Sequence, residues 1–136
     1  MDPVIHFEMP YEDAQRVARF YAQAFGWQTQ ALGEKMGDYI LATTIAPDAQ
    51  AASAGCVQAI NGGLFPKKPD WPAQHPSVVI AVPDLGAAMK KVQQAGGVVL
   101  GEPMDIPGTG KYVSFTDTEG NRVSMLETLP SPGAAS

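Results

Sequence analysis

Apolar and polar residues alternate at the start of the chain, in VIHFEMP, so a strand there sends Ile5, Phe7 and Met9 to one face and His6 and Glu8 to the other. The period then changes. In YEDAQRVARFYAQAFGW the residues Ala14, Val17, Ala18, Tyr21, Ala24 and Phe25 recur at helical spacing, which predicts an amphipathic helix. Asp13 is placed to cap its start, and Gly26 to end it in the left-handed conformation that glycine tolerates. Strand-like pieces follow at residues 27–32, 39–44 and 56–60, giving the order β-α-β-β-β.

Residues 62–76 are rich in proline and glycine and read as a linker. Beyond them SVVIAV predicts a strand, DLGAAMKKVQQAGG a helix with Leu85, Ala88, Met89 and Val92 inward, and VVL a further strand. GEPMDIPGTG reads as a loop, followed by strands in KYVSFTD and RVSMLE around a DTEGN turn. The order is again β-α-β-β-β. Asp13 with Asp84, Gln23-Ala24 with Gln94-Ala95, and Gly26 with Gly97 are separated by one common offset, the mark of an internal repeat. That offset pairs His6 with Ser77. Alternation puts Val113, Phe115, Val123 and Met125 on the helix-covered face of the second unit and Tyr112, Ser114, Arg122, Ser124 and Leu126 on the other.

Composition narrows the classes of function. The chain has 136 residues, enough for one compact domain that buries about two-thirds of its unfolded surface. A formal net charge of -5, with lysines single or in isolated pairs at 67–68 and 90–91, argues against nucleic acid as a partner. One cysteine, Cys56, permits no intrachain disulfide and fits a reducing compartment. Without a signal-type start or a long apolar run, the sequence reads as soluble and cytoplasmic, with no membrane partner.

HFEMPYEDAQRVARFYAQAFGW, VIAVPDLGAAMKKVQQAGG and YVSFTDTEGNRVSMLE, in that order, resemble the vicinal oxygen chelate superfamily, which includes glyoxalases, bleomycin resistance proteins and dioxygenases. The likeness is greatest to small glyoxalase-like proteins of unassigned reaction. The resemblance implies an α+β fold of two βαβββ modules, residues 3–61 and 77–128, whose curled mixed eight-stranded sheet surrounds a cleft with its helices outside. Residues 129–136 are expected to form a flexible tail. The resemblance also implies a homodimer and, in metal-using members, His, Glu or Gln ligands on the first and last strand of each module.

Carried over position by position, that pattern places His6 at the first-module ligand, Ser77 at its second-module counterpart and Ser124 at the familiar glutamate position, with Gln58 the conventional donor in CVQAI. Serine hydroxyls are poor ligands for such metals, so no standard metal centre and no cofactor are expected. His75 and Glu127 do not repair the set. His75 lies in the linker, and alternation sends Glu127 to the opposite face from Ser124.

The expected function is therefore binding of a small organic molecule by His6, Glu8, Gln58, Ser77, Tyr112, Ser124 and Leu126, with Phe65 and Trp71 as loop residues able to cap it. His6 and Glu8 are the candidate catalytic pair for lyase or isomerase chemistry by proton transfer. Two other readings stay open: a non-catalytic sequestration protein of the bleomycin-resistance type, and a metal-dependent lyase or dioxygenase that uses His6.

Overall fold

The computed structural model describes residues 1–45 and 59–129. The chain divides into two compact units, one formed by His6–Pro76 and one by Met1–Ile5 with the chain from Ser77 onward. Among the described residues each contains one α-helix and a four-stranded arrangement with parallel and antiparallel pairs, eight strands in all, so the fold is α+β.

In the first unit the strands are β1 (Val4–Tyr11, whose first two residues group with the other unit), β2 (Gln28–Ala31), β3 (Ile40–Thr43) and β4 (Gly62–Pro66), with helix α1 (Ala14–Phe25) between the first two. β1 runs parallel to β4, and β4 and β2 run antiparallel to β3. The second unit repeats this with β5 (Ser77–Ala81), α2 (Leu85–Gln94), β6 (Val98–Ile106), β7 (Gly110–Thr116) and β8 (Arg122–Thr128). β5 runs parallel to β8, and β8 and β6 run antiparallel to β7. The predicted repeat is thus a repeat of topology.

Its helix starts are also alike. Asp13 and Asp84 both have extended backbones, and their carboxylates accept from the amides of Arg16 at 3.0 Å and Ala87 at 2.9 Å. The helix ends differ by one residue. Gly26 ends α1 at φ 73°, but after α2 the left-handed glycine is Gly96 at φ 103°, not Gly97. Gly97 serves a packing need instead: a Cβ there would lie 2.8 Å from Val92 and 2.9 Å from the Thr116 carbonyl oxygen.

Each helix covers an apolar strand face. In the second unit Val82, Leu85, Val113, Phe115 and Met125 form the core, flanked by Ala88, Met89, Val92 and Val123 as expected. In the first, Tyr11, Ile40 and Leu64 are buried with Met9, Ala14 and Val17 against them. This core is shorter than the predicted stripe. Helix α1 is about 18 Å long and outruns it, so Phe25 stays 65% exposed, resting on Phe20, Tyr21 and Trp27. Ile5 is also exposed, while Phe7 packs on Trp27.

Two expectations about connections are corrected. Residues 62–76 are not all linker, because β4 occupies Gly62–Pro66 and takes Phe65 with it, while Ile60 lies outside any strand. Gly62 and Gly63 looked like turn residues, yet a Cβ on either would overlap the side chain of Phe7 or Tyr39 respectively; they are strand glycines required by close approach. Likewise GEPMDI belongs to β6, not to a loop: Gly101 at φ 74° and a register shift between Leu100 and Met104 carry the strand past Pro103. Cys56, Gln58 and the tail beyond Leu129 lie outside the described residues.

Candidate functional site

In each unit the strand face turned away from the helix carries the polar side chains. On β1, Met9 and Tyr11 join the core, so His6 and Glu8, of opposite parity, occupy the other face. Glu8 is buried, at 6% exposure. The His6 imidazole is held below its ordinary pKa by loss of hydration, an effect partly opposed by the neighbouring Glu8 carboxylate.

His6 Nε2 lies 3.0 Å from the hydroxyl of Tyr39. Register explains the meeting: Gly63 pairs with Glu8 on β1 and with Leu41 on β3, and Tyr39 is two residues before Leu41, on the same face. The chain entering β3 is fixed from several sides. The Asp38 amide donates to the Gly33 carbonyl at 3.0 Å, the Leu32 amide donates to that of Tyr39 at 2.9 Å, and the buried Tyr11 hydroxyl donates to the Asp38 carbonyl at 2.6 Å. Burial, with Asp38 nearby, raises the Tyr11 pKa above its usual value.

In the second unit three hydroxyls converge. The Tyr112 hydroxyl lies 2.7 Å from Ser124 Oγ, which lies 3.0 Å from Ser114 Oγ, and the Ser114 hydroxyl and Arg122 Nη2 extend the group with contacts of 3.5 Å. Antiparallel register produces this, placing Ser114 opposite Ser124 and Tyr112 opposite Leu126. Ser114 and Ser124 are 5% and 2% exposed. Ser77, at the start of β5, and Leu126 are half-buried.

The structure therefore brings Tyr112, Ser124 and Leu126 together in one unit, and His6 and Glu8 in the other, while Gln58 lies outside the described residues. Sequence reasoning put Ser114 and Arg122 on this face without selecting them; their pairing with Ser124 and Thr116 follows from alternation once register is known. Tyr39 was missed as a site residue. Its signal was available only through Gly63. His75 is exposed in the connection, Glu127 accepts from the Leu85 amide, and the Trp71 ring receives the Lys68 ammonium 4.6 Å from its centroid.

The metal pattern of the fold can be tested on these registers. Ser124 on β8 opposes Val79 on β5 as Gly63 on β4 opposes Glu8 on β1, so the fourth-strand positions hold serine and glycine. The first-strand positions hold His6 and Ser77. Among the described residues no three His, Cys, Asp or Glu side chains group as a ligand set. Among the described residues these positions offer one imidazole in the first unit and two hydroxyls in the second, and neither set fits a zinc, iron, nickel or manganese centre.

The repeated topology and the first-strand His define a member of a large βαβββ family, and comparison identifies it. The profile of the Glyoxalase/Bleomycin resistance protein/Dioxygenase superfamily matches residues 4–125, and the chain belongs to that superfamily. A glyoxylase-like domain-containing protein of Didymella fabae is 30% identical over 121 residues, covering 84% of each chain. The Mycobacterium tuberculosis protein CFP32 is 37% identical over 71 residues, 52% of this chain; that match spans only 27% of the relative's length. Methylmalonyl-CoA epimerase from Mycobacterium tuberculosis shares the fold at a TM-score of 0.64 and 15% identity, over 97% of this chain and 91% of that one. Among the described residues no helix is long and apolar enough to cross a membrane.

Proposed function

We propose that this protein binds a small organic molecule on a helix-free strand face, without a divalent metal centre, the candidate contacts being His6, Glu8 and Tyr39 in the first unit and Ser77, Tyr112, Ser114, Ser124 and Leu126 in the second, each face taken by itself. One observation carries the reading. The buried polar side chains among the described residues, Glu8, Ser114 and Ser124, all lie on those faces and none in the helix-covered cores. Burying such groups costs stability, and a polar ligand gives that cost a use. Where binding leads to turnover, proton transfer by His6 and Glu8 in a lyase or isomerase reaction is the chemistry these residues can supply. We expect a homodimer, from the superfamily resemblance, and a cytoplasmic location, from the single cysteine.

The test is a thermal-shift screen of a metabolite panel against the wild type, S124A and H6A, with mass spectrometry of each hit. Binding at a hundredfold excess over Kd adds about 2.7 kcal/mol of stability, a readily measured rise in melting temperature. The reading predicts hits that weaken in H6A or in S124A. Hits indifferent to both substitutions would place the ligand elsewhere, and near-stoichiometric zinc, iron, nickel or manganese lost in H6A would overturn the metal-free part. A hit recovered chemically unchanged identifies a sequestration protein.

A further inference from the structure

Glu8 and Val79 are related by the offset of the repeat, and their fourth-strand partners are Gly63 and Ser124. In the second unit that position supplies a hydroxyl at the centre of a hydrogen-bonded group. In the first it supplies nothing of its own, but the volume a Gly63 side chain would take is filled by the hydroxyl end of Tyr39. That same hydroxyl meets His6 Nε2.

We propose that Tyr39 is the positioning residue of His6, admitted by Gly63, and that it fixes the imidazole as the neutral Nδ1–H tautomer. A phenol O–H is more acidic than an imidazole N–H, while the unprotonated ring nitrogen is the better acceptor, so Tyr39 donates and Nε2 accepts. The remaining ring nitrogen then carries the proton. His6 meets its ligand as a hydrogen-bond donor through Nδ1–H, which selects an oxygen or nitrogen acceptor on the ligand. Of the two candidates for proton abstraction, this leaves Glu8, on the same face two residues along β1. Burial of His6 favours the same neutral state.

This inference rests on the proposed binding role of His6, yet it is tested without any ligand. Long-range proton–nitrogen NMR of the full chain at pH 8 reads the tautomer directly. The expected result is a protonated Nδ1 and an unprotonated Nε2 on His6. In Y39F, whose ring still fits over Gly63, the tautomer preference is lost and the His6 titration midpoint moves up, because the bond that favoured the neutral ring is gone. G63A pushes the Tyr39 hydroxyl aside and reproduces both changes; Y39F decides the matter where G63A does not fold. A protonated Nε2 in the wild type, or an unchanged tautomer and midpoint in Y39F, overturns the inference. Failure here with ligand hits that weaken in H6A leaves the binding function standing, whereas the predicted tautomer with hits indifferent to H6A removes the binding role of His6 and keeps the Tyr39 role.

Discussion

Glu127, near the end of β8, reaches across to the first turn of α2, where its Oε1 accepts the backbone amide of Leu85 at 2.8 Å. It satisfies a helix amide that no earlier carbonyl can reach, and its charge lies at the positive end of the helix. E127A should cost about 0.5–2 kcal/mol, and E127Q less. Urea midpoints measure it; an unchanged midpoint in E127A would remove this cap from the account.

Ser124 connects two hydroxyls that otherwise do not approach closer than 3.5 Å. S124A leaves Tyr112 and Ser114 without their shared partner and should destabilise by about 1–3 kcal/mol. Combining it with Y112F should cost less than the sum of the single changes. Additive losses in that cycle would mean that the two hydroxyls act independently.

Gly62 faces the Phe7 ring so closely that a methyl group cannot be added without moving it, and Phe7 in turn rests on Trp27 with ring centroids 5.4 Å apart. G62A is expected to lose about 1–3 kcal/mol by overpacking. The Trp27 fluorescence should change with it, since its neighbour is displaced. Wild-type stability and emission would contradict the packing.

The lowered pKa of His6 has a definite sign in stability. As pH falls below the ordinary histidine value of 6.5, the unfolded chain binds a proton before the folded chain does. The contribution is therefore complete above that value and is lost as pH drops through the lower, folded value. Denaturation between pH 8 and pH 5 should show a steeper fall for the wild type than for H6Q. Parallel curves would show that His6 is not the group responsible.

The helix caps and the alternation in β5, β7 and β8 were legible because each is written in a few neighbouring residues: Asp13 and Asp84 for the caps, Val113 and Phe115 against Tyr112 and Ser114 for the faces. What escaped depends on contacts distant in sequence. Gly62 and Gly63 carry the ordinary signature of a turn, and only the rings of Phe7 and Tyr39 reveal them as strand residues. Tyr39 becomes a partner of His6 across 33 residues, through a β3–β4 register that no local pattern encodes. The length of α1 was legible but the extent of the core beneath it was not, which is why Phe25 lies outside.

The parallel pairing of β1 with β4 has a consequence for biosynthesis. Every described strand of the first unit has been made once the ribosome has passed Pro66, about halfway along the 136 residues. The rest takes on the order of several seconds to translate, far longer than a small mixed domain needs to fold. Two modules with the same strand order and the same helix-start signal are liable to exchange partners. Synthesis in sequence lets the first sort its pairings before its rival is complete.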